Sequence, residues 1–503
     1  MRIITSSILI LLGIFSFAQQ NYFSKRYTFG CSENGLKIIQ DGSNYTLISS
    51  VSCLGIGLRS VFAKLDSTGN VIIEKVNGAE WHDCFSGGLA GLIKLQDSTF
   101  IYAGSINDTT SQADVLLYKL SKDGDSIWIR QYGDTAFQSG WQSRQTRDHG
   151  FIITGQTCTF DRQGDVLLIK TDSNGIEQWQ KHYGGSNADI ATSVDTCFDG
   201  GFLITGGTRS YGIGGGPRNE FSNGYIIKTD SLGNIKWSKT FGGIYDDGIW
   251  NGISCHDGSF AFAGYFTFYD PFYPITCCAN TCKLYVLRLD SEGNTIFEKT
   301  YGRQYEINYL FSIKEQTNGD LITAGWYVDT LTHHERGVIL KTNSLGDSLW
   351  LHTYEFLHGP NSGSHLFDIT PTQDGGYIAI GYIVPAFPDT GNQDTWVLKV
   401  DSNGCEISNC LINSTGNMDY LKANNSFNVY PNPSMGVFHF ENDYFDEVEK
   451  IEVFTYTGQC VYSKEGKSEE FDLSFFPNGI YFYKILTKEK KNWKGRVLKI
   501  SNW

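Results

Sequence analysis

The sequence predicts an all-β protein: a seven-bladed β-propeller of four-stranded antiparallel blades, followed by a small C-terminal β-sandwich of immunoglobulin-like type. Three observations lead to this prediction. Aromatic residues form 14% of the 503 residues and 56 are Gly, a composition typical of strands joined by tight turns. One hairpin signature recurs seven times, at intervals of 51 to 60 residues. No stretch of useful length shows the apolar period of an amphipathic helix.

The hairpin of each repeat begins at a basic residue, after which an Asp-Ser-x-Gly type of turn follows in most copies. Asp and Ser bond their own backbone in such turns, and Gly accepts the positive φ. The basic residues are Lys64, Lys119, Lys170, Lys228, Arg288, Lys341 and Lys399. A large apolar residue stands four positions after the turn Gly in six copies: Ile73, Trp128, Trp179, Trp237, Phe297 and Trp350. We interpret the recurring Trp as packing between blades, and we predict no cofactor.

Each repeat contains four strand signals. A short apolar segment such as residues 191–197 precedes a turn at 199–201, and the second strand at 202–206 ends in Gly. The third strand ends in the hairpin, and the fourth carries the large apolar residue. Four antiparallel strands in about 55 residues, repeated seven times, are the signature of a propeller, whose closed ring protects most strand edges.

The seventh repeat lacks its fourth strand, because Ser408 stands where an aromatic residue is expected after Gly404. The segment Phe23-Ser24-Lys25-Arg26-Tyr27 matches residues 237–241 position by position. We therefore predict that the N-terminal strand completes the last blade and closes the ring.

The loops between second and third strands, and between fourth and first strands, share one face and vary in length. The longest are expected at residues 208–223, 266–282, 328–335 and 383–393. Variable loops on a rigid scaffold are where binding usually occurs. The alternative is that their aromatic residues only pack their own loops. The candidate binding rim comprises Trp81, His82, Asp83, Trp141, Tyr245, Asp246, Asp247, Trp250, Tyr305, Glu306 and His365.

The N-terminus predicts a secretory signal peptide over residues 1–18, with a basic start at Arg2, an apolar run and a cleavage site after Ala18. The apolar run of about 15 residues is short of the roughly 20 needed for a membrane anchor, and we predict no transmembrane segment in the mature chain. The 12 cysteines fit an oxidising compartment. Cys405 and Cys410 are close enough for a local disulfide loop, although pairing does not follow from sequence.

The net charge of −14, with no basic stripe, argues against a nucleic-acid partner. Metal binding has only weak candidates, and we predict no metal site. The spacing of Cys277, Cys278 and Cys282 is not that of a zinc site. Exposed loop histidines such as His82, His333 and His334 are more often simply solvated.

Residues 406–426 are rich in Asn and Ser and predict a linker before a separate unit at 427–503. That unit resembles the type A C-terminal sorting domain of the type IX secretion system of Bacteroidetes. The resemblance rests on Tyr430, Pro431, Asn432, Pro433, Gly436, Gly458, Gly479, Tyr481 and Lys499. It implies Sec-dependent export, the type IX machinery as partner, and a secreted or outer-membrane-surface location. Removal of the domain, with release or lipopolysaccharide tethering of the cargo, is implied in the same way.

We predict that residues 19–405 form a non-catalytic binding or adhesion module for an extracellular glycan or protein. The alternative is an extracellular glycan-active hydrolase or lyase on the same scaffold. Glycosidase chemistry needs two carboxylates about 5 to 10 Å apart. Asp246, Asp247 and Glu306 are rim carboxylates, but no constellation in the sequence assigns a catalytic residue.

Overall fold

The structure, a computed structural model, describes residues 22–53, 57–77, 83–86, 91–107, 113–133, 137–158, 164–213, 221–268, 281–302, 306–329, 334–357, 362–386, 391–406, 428–430, 434, 436–441, 448–455, 459–466, 470–487 and 492–499. The chain divides into two compact units, Met1–Gly416 and Asn417–Trp503. Within these ranges every regular element is a β-strand. The described residues contain no helix long and apolar enough to cross a membrane.

The described residues of the first unit form 29 strands. In chain order they are β1 (Phe23–Tyr27), β2 (Ser32–Asp41), β3 (Asn44–Cys53), β4 (Gly57–Leu65), β5 (Val71–Asn77), β6 (Asp83–Ser86), β7 (Ile93–Lys94), β8 (Phe100–Asn107), β9 (Ala113–Leu120), β10 (Ser126–Tyr132), β11 (Phe137–Gln145), β12 (Phe151–Cys158), β13 (Val166–Thr171), β14 (Glu177–Tyr183), β15 (Asp189–Thr196), β16 (Phe202–Thr208), β17 (Asn223–Thr229), β18 (Ile235–Phe241), β19 (Gly248–Ser254), β20 (Phe260–Phe268), β21 (Thr281–Leu289), β22 (Thr295–Tyr301), β23 (Glu306–Glu315), β24 (Leu321–Asp329), β25 (His334–Thr342), β26 (Ser348–Tyr354), β27 (Gly363–Pro371), β28 (Tyr377–Val384) and β29 (Asp394–Val400).

These strands pair into consecutive antiparallel sets of four, as the repeat predicted. The sets, here called sheets one to seven, are β2 to β5, β6/β7 to β10, β11 to β14, β15 to β18, β19 to β22, β23 to β26, and β27 to β29 with β1. In the second sheet the first strand is divided into β6 and β7, which both pair with β8. Sheets five, six and seven are joined by single parallel bridges, Cys282↔Ile307 and Glu335↔Gly363.

The N-terminal strand occupies the position that the sequence predicted for it. β1 pairs antiparallel with β29, and Phe23 lies opposite Lys399. In the fourth sheet Trp237 lies opposite Lys228 in the same way. The register of the seventh sheet is therefore that of the others, although its fourth strand comes from the other end of the chain.

Two of the predicted loops are shorter than expected, because the strands on either side continue to pair. β20 and β21 remain paired as far as Phe268↔Thr281, inside the loop expected at 266–282. β24 and β25 remain paired as far as Asp329↔His334, inside the loop expected at 328–335.

The basic residue of each hairpin pairs with the Asp of the preceding turn in its own sheet, and this contact repeats in all seven sheets. Lys228, for example, lies 2.9 Å from Asp199. The other pairs are Lys64–Asp41, Lys119–Asp97, Lys170–Asp148, Arg288–Asp257, Lys341–Asp320 and Lys399–Asp374. The recurring basic residue is thus part of the scaffold.

The hairpin turns have the predicted chemistry. Asp172 accepts hydrogen bonds from the backbone N–H groups of Asn174 and Ile176, at 2.9 and 2.8 Å. The hairpin glycines have φ between +75° and +86°, in the left-handed region that favours Gly. They are Gly69, Gly124, Gly175, Gly233, Gly293, Gly346 and Gly404.

The recurring aromatic residue packs against the hairpin Gly of the next sheet, as predicted. Trp179 lies over Gly233, and Phe23 of β1 lies over Gly69 of the first sheet. Many fourth strands also end in a Tyr that donates a hydrogen bond to the same glycine's carbonyl. These bonds are Tyr27–Gly69, Tyr132–Gly175, Tyr183–Gly233, Tyr301–Gly346 and Tyr354–Gly404, at 2.5 to 2.9 Å.

Seven hydrophobic clusters form the core of the first unit, and each is built from two sheets. Six of them join consecutive sheets along the chain, from the first and second to the sixth and seventh. The seventh cluster contains Ile38 and Leu47 of the first sheet together with Ile378, Ile380 and Val397 of the seventh. The last sheet therefore packs against the first.

In the part of the second unit that the structure describes, the strands form two antiparallel sheets. Its strands are β30 (Asn428–Tyr430), β31 (Val437–Glu441), β32 (Val448–Phe454), β33 (Cys460–Glu465), β34 (Glu470–Asp472), β35 (Gly479–Thr487) and β36 (Asn492–Lys499). One sheet has the order β30-β31-β34 and the other β33-β32-β35-β36. Phe438 and Phe471 from the first share a buried core with Ile451, Tyr481 and Ile485 from the second.

One disulfide, Cys31–Cys53, ties the segment between β1 and β2 to the end of β3, with Cα atoms 5.1 Å apart. Cys405 is also disulfide-bonded. Cys282 is a buried free thiol, whereas Cys277 and Cys278 lie outside the described residues.

Candidate functional site

From the third sheet through the seventh to the first, the first strands of neighbouring sheets contact one another, whereas the fourth strands are largely exposed. The first strand is therefore the innermost strand of these sheets. In most sheets this strand carries a β-bulge, where one residue has no partner on the second strand. The bulged residues are Leu36, Trp141, Thr192, Trp250, Phe311 and Phe367. A bulge redirects the side chain that it carries. Here it turns four aromatic side chains toward the interior of the unit.

These four rings contact one another in series. Ring centroids are 6.5 Å apart for Trp141 and Trp250, 5.2 Å for Trp250 and Phe311, and 4.9 Å for Phe311 and Phe367. Trp141 belongs to the third sheet and Trp250 to the fifth. Their contact therefore joins two sheets that are not consecutive, across the space that the first strands enclose.

A second group of rings lies closer to the variable loops, on sheets five to seven. Tyr309 is 4.8 Å from Tyr265 and 5.0 Å from Trp326. Tyr382 is 5.4 Å from Phe367, which links the two groups. We call Trp141, Trp250, Tyr265, Tyr309, Phe311, Trp326, Phe367 and Tyr382 the aromatic cluster. All of its members except Phe311 are partly exposed.

His365 sits beside this cluster and connects two polar side chains. Its ring stacks on Trp326 at 4.4 Å, with an interplanar angle of 2°. The Nδ1 atom lies 2.8 Å from the Tyr382 hydroxyl, and Nε2 lies 2.7 Å from Oε2 of Glu335. The hydrogen bond from His365 lowers the pKa of Glu335. Burial, and then the charge of Glu335, raise the pKa of Tyr382 to about 12.

Carboxylates at the start of the first strands hold the loops that precede them. Asp247 is 2% exposed and accepts hydrogen bonds from the N–H groups of Gly243 and Thr267, at 2.5 and 2.7 Å. Burial outweighs these bonds and raises its pKa to about 7. Asp189 accepts from Gly185 and Glu33 from Gly30 in the same arrangement. Asp246 accepts from the N–H of Ser222, at 2.7 Å.

The structure brings some of the predicted rim residues together and leaves others apart. Trp141 and Trp250 belong to the aromatic cluster, and His365 lies against it. Asp246 and Asp247 position loops, and Tyr245 packs on Phe221 at 6.2 Å. Glu306 and Asp83 are the first residues of β23 and β6. Trp81, His82 and Tyr305 lie outside the described residues.

The weak metal candidates have other partners or are not described. His334 lies 3.0 Å from Glu355, and His333 is outside the described residues. No group of His, Cys, Asp and Glu suited to a metal ion occurs within the described ranges.

Several residues of this site were not predicted. Trp326, Tyr309 and Tyr382 lie inside strands that the repeat assigns to the scaffold, and Glu335 lies in the loop expected at 328–335 but was not among the candidate rim residues. A signal was present all the same. The residue after the Gly of the second strand is aromatic in sheets five, six and seven, as Tyr265, Trp326 and Tyr382. Comparing the repeats for aromatic residues at positions that differ would have found them.

In the second unit, part of the predicted sorting motif is described. Tyr481 is buried and donates a hydrogen bond to the Pro477 carbonyl, at 2.7 Å. Lys499 is 5% exposed at the end of β36. Gly436 and Gly479 have positive φ, and Tyr430 ends β30. Pro431, Asn432, Pro433 and Gly458 lie outside the described residues.

Comparison with solved structures finds matches of low similarity. A polysaccharide lyase PL25, an ulvan lyase, is 8% identical, with TM-score 0.47 over 76% of this chain and 97% of that one. A puromycin hydrolase is 12% identical, with TM-score 0.43 over 81% and 58%. The GH93 α-L-arabinofuranosidase of Fusarium graminearum is 11% identical, with TM-score 0.39 over 62% and 92%. Scores at this level transfer no substrate or activity.

No curated protein matches the chain significantly. The C-terminal unit, in contrast, matches a family model described as a secretion system C-terminal sorting domain, over residues 428–499. This segment covers β30 to β36 and the motif residues from Tyr430 to Lys499. Residues 428–499 therefore belong to the C-terminal sorting domains of the type IX secretion system, which implies export of the protein to the cell surface or beyond.

Proposed function

We propose that residues 19–405 form a seven-bladed β-propeller that β1 closes. Support comes from the seven two-sheet clusters, one of which joins the seventh sheet to the first, and from the pairing of β1 with β29. A closed ring leaves few exposed strand edges. In the same proposal residues 1–18 are a secretory signal peptide, 406–426 a linker, and 427–503 a sorting domain folded as an immunoglobulin-like β-sandwich.

The function that the site supports best is binding of an extracellular glycan on the face with the variable loops. The observation that carries this proposal is the aromatic cluster, whose rings, except that of Phe311, stay partly exposed in the interior of the first unit. Sugars stack their C–H faces on aromatic rings and pair their hydroxyls with a few polar groups, which is the usual composition of a ligand site. Glu335 and Tyr382 supply such polar groups beside the rings.

A binding screen tests the proposal. The purified protein is applied to a glycan array and to affinity gels that contain soluble polysaccharides. We expect binding to at least one of them, and we expect Trp326→Ala to weaken it tenfold or more. Phe198→Ala is the matched control, because Phe198 is an exposed aromatic residue in the turn between β15 and β16. Equal loss in both variants, or no binding to any glycan, would count against the proposal.

A glycan-active hydrolase or lyase is the second candidate, and one observation favours it. Glu335, His365 and Tyr382 form a hydrogen-bonded chain in which a carboxylate orients an imidazole that contacts a phenol. Incubation of each bound glycan with the protein, followed by a reducing-end assay, measures turnover. Turnover that His365→Gln abolishes while binding persists would establish catalysis. Intact glycan after long incubation would leave binding as the function.

A further inference from the structure

We propose that the glycan bound at the aromatic cluster is a neutral one, whose hydroxyl groups donate hydrogen bonds to Tyr382 and Glu335. Carboxylated and sulfated polysaccharides are excluded by the same two residues. This inference rests on the proposed glycan-binding function and adds to it the chemical class of the ligand.

The direction of the hydrogen bonds follows from Glu335. Its pKa is lowered, so the side chain is a carboxylate at neutral pH and only accepts hydrogen bonds. Nε2 of His365, 2.7 Å away, must therefore carry a proton. When the imidazole is neutral, Nδ1 is an acceptor, and the Tyr382 hydroxyl, 2.8 Å away, donates its only proton to it. In that state the Tyr382 oxygen offers a ligand only lone pairs.

Glu335 adds a second acceptor to the same place. One of its oxygens is bound to His365, and within the described part of the chain no donor lies in hydrogen-bond contact with the other. Its side chain is 36% exposed. The bridge Glu335↔Gly363 fixes the backbone of Glu335 beside β27, two residues from His365. The geometry therefore presents two acceptors next to Trp326.

The neighbouring positive charge does not make this site attractive to an anionic ligand. Arg336 follows Glu335 on β25, but it is bound to the Tyr327 hydroxyl at 3.1 Å and forms an ion pair with Glu355 at 3.2 Å. A carboxylate or sulfate placed at Tyr382 would meet lone pairs and a like charge, whereas a sugar hydroxyl would donate to both groups.

Pairs of polysaccharides that share a backbone test this directly. Hydroxyethylcellulose against carboxymethylcellulose, and dextran against dextran sulfate, differ chiefly in charge. Dissociation constants are measured with the full-length protein at constant ionic strength. We expect the neutral member of a recognised pair to bind at least tenfold more tightly. Tyr382→Phe should weaken that binding up to about tenfold, the effect of one lost hydrogen bond.

The substitution Glu335→Gln tests the charge of the site, because the ratio of affinities for neutral and charged polysaccharides would not change if Glu335 had only a structural role. The amide removes the negative charge and adds a donor, so discrimination between neutral and charged members should shrink. Tyr132→Phe is the control, because the Tyr132 hydroxyl bonds the Gly175 carbonyl at a hairpin turn, on the face opposite the variable loops.

Tighter binding of the charged member, or unchanged discrimination in both site variants, would overturn this inference and leave glycan binding in place. No binding to any polysaccharide would overturn the proposed function and the inference together.

Discussion

At the residue scale, Asp247 shows how one buried carboxyl group can shape a loop at some energetic cost. Its two oxygens accept backbone N–H groups on either side of β19, yet burial raises its pKa to about 7. A carboxyl whose pKa is higher in the folded state contributes stability below its unfolded pKa. That contribution is lost as pH rises through the folded pKa.

We expect Asp247→Asn to gain stability relative to the wild type between pH 5 and pH 8, because only the wild type must ionise a buried group. The relative gain should be about 2 to 4 kcal/mol. Thermal or denaturant unfolding of both proteins across this range measures it. Asp123→Asn, at an exposed carboxylate, serves as control. A stability difference that does not vary with pH would contradict the assigned pKa.

At the scale of the element, the hairpin could be predicted because its determinants are adjacent in sequence. The Asp that accepts backbone N–H groups and the Gly with positive φ lie within four positions of each other, as Asp230 and Gly233 do. The bulges of the first strands were not predicted, since the apolar pattern on either side continues without a break. Contacts such as Glu335–His365 join residues of separate repeats, so no local sequence pattern predicts them.

Substitution of two glycines distinguishes the free-energy cost of backbone strain in a turn from the cost of disturbed packing between sheets. Gly233 and Gly200 have φ of +76° and +81°. A Cβ at Gly233 would come within 2.9 Å of the Trp179 ring, whereas one at Gly200 would meet nothing within 4 Å. We expect Gly200→Ala to cost about 1 kcal/mol, from backbone strain alone.

Gly233→Ala should cost about 1 to 3 kcal/mol more than Gly200→Ala, because the added methyl group also displaces Trp179. Urea unfolding of the two variants gives the difference in the free energy of unfolding. Equal losses would mean that the Trp does not pack tightly between the sheets.

At the scale of the whole molecule, the sequence predicted the position of the N-terminal strand, because that strand repeats the fourth-strand pattern. It did not predict the aromatic cluster, whose members come from sheets three, five, six and seven and meet only in the folded chain. The repeated parts of the chain build the scaffold. The candidate site consists of residues at which the repeats differ.

The sorting domain leads to a prediction about the whole chain in its cell. Deletion of residues 427–503 should leave the protein in the periplasm, because residues 428–499 carry the match to the sorting domains. Fractionation and immunoblotting of cells that express the full and truncated chains measure this. The truncated chain must still resist proteolysis, which controls for folding. Normal surface delivery of the truncation would refute the role of the domain.

The most direct measurement for the central claim is a crystal structure of the protein with the glycan that binds most tightly. We predict electron density for a sugar ring stacked on Trp326 or Tyr309, with hydroxyl groups within hydrogen-bond distance of Tyr382 and Glu335. Density for the glycan on the opposite face, at the short Asp-Gly turns, would contradict the assignment of the aromatic cluster as the binding site.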